Sequence, residues 1–455
     1  MDQSFRTESA DLNAFLKAPI YLGRSSSGQL LNLLLFVLVF SSSTLAQDSS
    51  GNLSGRVFDS QGAGIPGAVV RVKNSETGLN RQASCDATGY YRLVGLPPGY
   101  YEAQGEHQGF SKETRTNLVL TVAEDLMVNF RLTISPLAEQ VFVSENGGVD
   151  VTGSTSSGLV DGRKIRDLPL NGRDMAQLIL LQPGVVNSRG SVQSANTGRG
   201  TRFSVSGARP SQNLFRLDGT TINDALNNTP GSAQGLLIGV ETVKEFRVLT
   251  SNYSAEYGRV AGGVFLAVTK SGTNELHGSL FEFLRNDVLD ARNFFDGEKP
   301  AFRRNQFGAT FGGPLARNRT FFFGSYEGLR ERKGITRVSV VPDEAARRGV
   351  LPGQTPIAVD PRSVPILDLY PHANGRVLGD GTAEFAGMTK RRSNDDFFTV
   401  RLDHNISASS SLFFRYLFDD SEQLLLVTIR NFQTLQSTGS NLRPLSIARF
   451  FPADW

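Results

Sequence analysis

The stretch Val240–Asp287 constrains the fold more than any other, because its punctuation permits paired strands and breaks any long helix. Two short β-patterned segments, Phe246–Leu249 and Val264–Thr269, flank a turn that holds Tyr257, Gly258, Gly262 and Gly263. A second turn, Lys270–Asn274, leads into an aromatic strand pattern that starts near His277. β-Branched and aromatic runs broken by Gly, Asn and Ser predict hairpins. Composition agrees: 47 glycines and 31 phenylalanines, against one tryptophan in 455 residues, suit a turn-rich β protein. A net charge of +3 supplies no basic field for nucleic acid. Four histidines, one cysteine and no H-E-x-x-H leave little material for a metal site, and no cofactor is expected. Cys85 has no partner for an intrachain disulfide and is expected to be a small, partly buried residue.

The N-terminus predicts the compartment. Leu30–Phe40 is a short apolar run preceded by Lys17 and Arg24 and followed by Thr44-Leu45-Ala46, a small-x-small cleavage pattern. The run is too short to span a bilayer, so residues 1–46 are expected to be a removed signal peptide; an uncleaved anchor is the alternative. The polar stretch Met1–Gly23 is long for an n-region, as a start codon assigned too early would make it. The mature chain is expected to begin near Gln47 and leave the cytoplasm.

Residues 47–135 predict a small β-sandwich. Leu53–Phe58, Ala68–Val72, Tyr90–Val94, Tyr100–Gln104, Leu118–Leu120 and Asp125–Leu132 are short apolar strands at close spacing. Pro66-Gly67, Thr88-Gly89 and Pro97-Pro98-Gly99 supply the turns between them. Gly62–Gly67 fits G-x-G-x-x-G, but Pro66 and the β-branched run Val69–Val72 lead into a strand where a dinucleotide site needs a helix. The order GRVFDSQGAGIPGAVVRVKNSETG…DATGYYRLVGLPPGYYEAQGEHQGF resembles the carboxypeptidase-regulatory-like, transthyretin-like domain, which implies a non-catalytic Ig-like sandwich.

A Ser/Gly/Thr-rich connector, residues 136–157, carries one patterned island: Glu139, Gln140, Val141, Phe142, Val143, Ser144 and Glu145. An extended segment of this kind can add as a strand to a partner's sheet; a last strand of the sandwich or plain linker are the alternatives. Residues 158–272 follow as a mixed α/β unit. Arg163–Asp167 reads as part of a turn entering a short helix, Asp174–Leu181, which stops at Pro183-Gly184. Phe203–Ala208 and Leu214–Leu217 are strand-like, and Asp218-Gly219 is a hairpin turn. Ser188–Thr201 is a polar loop and the candidate ligand-contact segment.

From His277 the alternation changes character. Phe307, Ala309 and Phe311 face away from Gln306, Gly308 and Thr310; Phe398, Val400 and Leu402 face away from Thr399, Arg401 and Asp403. Leu412, Phe414, Tyr416 and Phe418 oppose Phe413, Arg415, Leu417 and Asp419. An apolar row against a more polar row is what a transmembrane barrel strand requires, although a soluble sandwich shows similar alternation. Arg317-Asn318-Arg319 suits a short turn, and Gly334–Glu384, with its six prolines, an extracellular loop. Residues 273–422 are therefore expected to start a barrel and no more, since a plugged receptor barrel needs about 22 strands. Residues 423–455 lose the alternation, and Trp455 ends the chain without a clean strand before it. A truncated frame with a shifted tail is the expectation.

The wording SVSGARPSQNLFRLDGTTIND, and the run from Val240, closely resemble the plug and first barrel strands of TonB-dependent outer-membrane receptors, nearest the Oar-like subfamily. The resemblance implies a mainly β chain: sandwich, plug, then the first strands of an incomplete transmembrane antiparallel β-barrel. It implies no enzyme, but energy-coupled uptake of an unidentified extracellular solute through a barrel set in outer-membrane lipid. TonB, with ExbB and ExbD, is the implied periplasmic partner, and 139–145 the candidate TonB box. Arg209, Asn213, Asp218 and Gly219, with Tyr257, Gly258, Gly262 and Gly263, are the plug's ordering residues, and Arg209 is expected to face a carboxylate or carbonyl. The competing readings are a non-transporting surface or periplasmic binding or adhesion protein, and a non-functional receptor fragment.

Overall fold

The computed structural model describes residues 50–134, 140–144, 155–168, 170, 172–188, 201–232, 235–236, 238–258, 260–292, 299–407, 410–429 and 432–436. The expected signal peptide, most of the connector, residues 189–200 of the expected ligand loop, and Trp455 lie outside them.

The first unit is a two-sheet sandwich. Strands β1 (Gly51–Phe58), β2 (Val69–Asn74), β3 (Asn80–Ser84), β4 (Tyr90–Leu96), β5 (Gly99–Glu106), β6 (Lys112–Leu120), β7 (Asp125–Met127) and β8 (Phe130–Arg131) follow in chain order, then β9 (Gln140–Ser144). One sheet runs β4-β1-β7 with β8 also on β1; the other runs β3-β2-β5-β6-β9. Period-two alternation sends Leu53 and Val57, Val70 and Val72, Tyr91 and Leu93, and Leu118 and Leu120 into one core with Phe130. Each such side chain contributes about 1.5–3 kcal/mol by leaving water. The Tyr91 hydroxyl donates to Val128 O at 2.6 Å and the Tyr101 hydroxyl to Pro97 O at 2.7 Å, so both tyrosines of this core are satisfied. Burial pushes the Cys85 thiol up to about 11. Gly62–Gly67 forms turns before β2, with Ile65 buried in the sandwich.

The second unit is built on a five-stranded sheet, in the order β10-β17-β18-β13-β14. Its strands are β10 (Ser156–Asp161), β13 (Leu214–Leu217), β14 (Thr220–Thr221), β17 (Val243–Ser251) and β18 (Val264–Thr269). Beside it lie the short pairs β11 (Val185–Asn187) with β12 (Phe203–Val205), and β15 (Gly231–Ser232) with β16 (Gly235–Leu236). Residues Gly162–Asp167, expected to include a turn, form helix α1, because Asp161 caps it by accepting from the Arg163 and Lys164 amides. The expected helix Asp174–Leu181 is helical over Ala176–Ile179, α2, with turns around it. Phe203–Ala208 is a strand as far as Val205; Ser206 and Gly207 then take positive φ and turn the chain away. Phe203, Phe215 and Phe265 meet in the core, the last two stacked at 4.4 Å.

The third unit is an antiparallel sheet, β19-β20-β21-β22-β23-β24. Its members are β19 (His277–Asn286), β20 (Phe302–Ala316), β21 (Thr320–Pro342), β22 (Thr382–Asn405), β23 (Ser411–Ile429) and β24 (Phe432–Gln436), with a one-turn helix α3 (Val364–Leu367) between β21 and β22. Among the described residues the sheet is open and does not close into a barrel. The register joins Phe322 to Leu402 and Leu402 to Phe414, and likewise Tyr326 to Phe398 and Phe398 to Phe418, in rows across the outer face. On the opposite face Phe321, Phe323, Ser325, Glu327, Thr399 and Arg415 are buried and Arg401 is half-buried, and Ser325, Glu327, Arg401 and Arg415 bond to the second unit. The expected long loop Gly334–Glu384 is shorter than its prolines suggest, because β21 and β22 stay paired from Gly334↔Lys390 to Pro342↔Thr382. The irregular part is 343–381, on the same side as the connection between β19 and β20. At the other end Arg317-Asn318-Arg319 makes the expected short turn, with Asn318 at φ 60°. Strand β23 carries Glu422 and runs on to Ile429, past the expected end of the barrel portion.

Candidate functional site

The site is the seam between the second unit and the inner face of the third. It starts from a two-residue hairpin turn. Asp218 and Gly219 join β13 to β14 with φ values of 46° and 82°, the geometry of a type I′ turn, which glycine adopts without strain. The turn aims the Asp218 carboxylate across β18. It accepts from the Thr269 amide at 2.9 Å and the Thr269 hydroxyl at 2.8 Å. From the wall, Arg401 Nη1 donates to it at 3.1 Å and Arg415 Nη1 closes the other side. Asp218 is 2% exposed, so these bonds are shielded from water. Burial alone would raise its carboxyl, but Arg415 and then Arg401, with Thr269, hold it below the usual carboxylate range. Arg401 also takes Asp403 at 2.8 Å, which leaves Arg415 more dependent on Asp218.

A second polar cluster sits further along the seam. The Glu241 carboxylate accepts from Arg173 at 2.8 Å and Lys270 at 3.3 Å, and these partners hold its carboxyl low despite burial. The Glu241 amide donates to Glu327 of β21 at 2.8 Å, and the Thr242 and Ser325 hydroxyls are 2.6 Å apart. Arg173 stacks on Phe281 and Phe283, 4.4 and 4.7 Å from the ring centres, while Gln306 donates to Gly172 O at 3.0 Å. A cavity of about 540 Å³ opens beside these groups, lined by Ile165, Leu168, Val240, Phe283, Arg285 and Arg304 among others. Across this seam the wall therefore grips the second unit through hydrogen bonds and ion pairs that can exchange partners. Among the described residues, no group of His, Cys, Asp and Glu is arranged to hold a metal ion.

The remaining expected residues divide by role. Asn213, fully buried, donates to Phe203 O at 2.8 Å and accepts from the Gly263 amide at 2.9 Å, tying β12, β13 and β18 together. Gly262 is needed there, since a Cβ would stand 2.4 Å from Asn213 Oδ1. Gly263 packs against Val205 in the same way. Tyr257 is buried beside Leu249 and Val264, and burial, with Glu256 next, pushes its hydroxyl up to about 12. Gly258 ends the short 3-10 turn Ala255–Tyr257. Arg209 departs from expectation: its side chain is exposed and meets neither a carboxylate nor a carbonyl among the described residues, while its amide donates to Gln212 Oε1. Gln140–Ser144 is β9, in a parallel ladder with Lys112–Thr116 at the edge of the sandwich; Glu139 and Glu145 lie outside the described residues. Arg401, Arg415 and Glu327 were missed as site residues. The first two stood on the polar rows, where their charge in a strand facing an apolar row was the available signal.

Three family models match successive stretches: a carboxypeptidase regulatory-like domain over 52–133, a TonB-dependent receptor plug domain over 148–264 and an outer membrane beta barrel domain over 268–444. The TonB-dependent transporter Oar of Myxococcus xanthus is 30% identical over 309 residues, 64% of this chain and 27% of that protein. The ferrienterobactin receptor of Escherichia coli K12 is 29% identical over 124 residues, 26% of this chain and 16% of that protein. The chain spans about a quarter of the length of the curated relatives that match it over the longest stretches. The crystal structure of the siderophore receptor PirA from Acinetobacter baumannii aligns over 62% of this chain and 50% of that one, at 15% identity and a TM-score of 0.30. Such a score carries no argument about how the parts are arranged. With sandwich, plug and barrel strands matched in order, the chain belongs to the TonB-dependent outer-membrane receptors, in the Oar-like group that carries a carboxypeptidase-regulatory-like domain.

Proposed function

We propose that the chain acts in energy-coupled uptake of an extracellular solute across the outer membrane, with the second unit as the gate. The observation that carries this reading is Asp218, buried between Thr269 of the plug and Arg401 and Arg415 of the wall. A gate must block the lumen at rest and leave it without breaking covalent bonds. A small set of buried ion pairs meets both needs, because its cost of separation is high yet reversible. TonB is the partner proposed for the periplasmic side, with residues 139–145 as the segment it engages by strand addition. The N-terminal sandwich then lies in the periplasm, after export and removal of residues 1–46. Solute contacts belong to the long connections of the third unit and to residues 188–201. No step in this scheme makes or breaks a covalent bond of the solute, so it requires no enzyme activity.

Cell fractionation tests the reading. The protein is expected in the outer membrane with heat-modifiable gel mobility, and Asp218→Asn should sensitise cells to large antibiotics that the membrane normally excludes. Recovery as a soluble periplasmic protein would replace it with a non-transporting binding or adhesion role.

A further inference from the structure

The sandwich is keyed into the plug at a second junction, away from the wall. Residues Thr121–Glu124 turn the chain from β6 into β7, and Ala123 takes φ 52° at the tip. The turn is braced from within. Glu124 Oε2 accepts from the Thr121 amide at 2.7 Å, the Ala123 amide donates to Ser50 O at 3.1 Å, and the Asn52 amide donates to Glu124 O at 2.7 Å. Its projecting side chain, Val122, is 0% exposed and packs in a cluster with Leu214, Leu249, Tyr257, Val264 and Leu266 of the plug. The Val122 amide donates to Glu245 Oε1 at 2.6 Å, and Arg247 Nη2 donates to Thr121 Oγ1 at 2.7 Å. Arg247 Nη1 reaches Ser157 at 3.2 Å, so one guanidinium joins β17, β10 and the sandwich turn. The more exposed contact of Lys244 with Glu76 at 3.3 Å and Pro98 O at 2.9 Å is weaker support, because solvent screens it.

The same strand that ends in this turn carries β9 at its other end. Lys112–Thr116 of β6 pairs with Gln140–Ser144, and Leu118–Leu120 of β6 leads directly into Thr121. Strand β17 in turn pairs with β18, whose last residue, Thr269, holds Asp218. We propose that Thr121, Val122, Glu245 and Arg247 are positioning residues for the gate. They pass displacement of β9 through β6 to β17, so the sandwich is a mechanical link to the plug and not a tethered accessory. The coupling meaning of β9 rests on the proposed function; the key between sandwich and plug does not. A chain of packed, hydrogen-bonded elements can carry such coupling, and it shows itself as shared opening in hydrogen exchange.

Hydrogen exchange on the full chain in detergent micelles tests this. Val122→Asp puts an unpaired carboxylate into that apolar cluster and should raise exchange in β17 and β18 by about tenfold or more, while β1 and β4 of the sandwich stay within about twofold. Glu245→Gln, which keeps the acceptor for the Val122 amide, should leave β17 close to wild type. Val141→Pro with Phe142→Pro removes the ladder amide of β9 in either register. It should speed exchange of Val122 and β17 in the wild-type background and leave β17 unchanged beside Val122→Asp. Equal effects in both backgrounds, or none in either, would overturn the link. So would loss of protection across the whole sandwich on Val122→Asp, which would make the turn a stabiliser of its own domain. Soluble recovery of the protein would sink the transport reading and leave these exchange results standing.

Discussion

At the scale of single residues, the energetic weight lies on buried charges whose partners come from different units. Asp218→Asn keeps the shape of the turn but leaves Arg415 and part of Arg401 buried without a counter-charge. Breaking a buried pair from one side costs about 3–5 kcal/mol, so denaturant titration in micelles should register a loss of that order. Adding Arg415→Leu to Asp218→Asn should recover part of it, since the turn and the bond from Thr269 are kept and the Arg415 charge is no longer stranded. The pH dependence has two limbs of opposite sign. The Asp218 carboxyl is lower when folded than its unfolded value of about 3.9. Its stabilisation is therefore complete above about pH 4 and is lost as pH falls through the folded value. Glu245 is raised, by burial first and by Glu124 among its neighbours. Its contribution is present below the unfolded value of about 4.3 and declines as pH rises through the folded one. Stability measured against pH should lose its acid limb in Asp218→Asn and its upper limb in Glu245→Gln. A profile with the same shape in all three proteins would contradict both assignments.

At the scale of elements, legibility followed hydrophobic periodicity. β18 was readable because apolar, mostly β-branched or aromatic residues fill it almost without interruption, as a strand buried on both faces requires, whereas in β17, interrupted by Lys244, Glu245 and Arg247, only Phe246–Leu249 stood out. β3, Asn80–Ser84, was not readable: it is an edge strand of polar residues with no apolar row to reveal a period of two. α1 escaped because six residues are too few to show a helical period, and its definition comes from the Asp161 cap. Pro342 misled in the other direction. It closes the β21–β22 ladder, a place where a missing amide costs little, so the strand outlasts the sequence signal for a loop. For the site, the hairpin at Asp218-Gly219 was legible from local chemistry, whereas its clasp by Arg401 and Arg415 was not. Those partners are 183 and 197 residues away, and no local rule pairs them. Asn213 is the element-scale counterpart of Asp218. Asn213→Ala removes two buried hydrogen bonds that tie three strands, and should cost about 2–3 kcal/mol in the same titration. A loss below about 0.5 kcal/mol would show that β12 and β18 hold their places without it.

At the scale of the whole molecule, the decisive question is which face of the third unit meets lipid. The inner face is fixed by the plug: Arg401 of β22 and Arg415 of β23 both reach Asp218, and Thr399 on the same face is buried. The outer face of the same strand shows Val400 and Leu402, each 40% exposed, beside Phe414 at 42% on β23. A soluble sheet could carry these residues in water at modest cost, because isolated exposed hydrophobics are ordinary on protein surfaces. In a bilayer the same positions become the solvent boundary, and a charge there pays for leaving water. Val400→Arg separates the two cases with one substitution on a side chain that makes no hydrogen bond. If the outer face meets hydrocarbon, folding into phosphatidylcholine vesicles should weaken by about 2–4 kcal/mol for a site near the midplane, and less toward the interfaces. If the sheet is water-soluble, the change should stay within about 0.5 kcal/mol, as for other surface substitutions. The measurement is a urea titration of vesicle-bound protein, with Thr320→Arg as the internal comparison, because Thr320 lies next to the short turn where water is close. Equal, small effects at both positions would remove the membrane from the account of this sheet, whatever the plug beside it does.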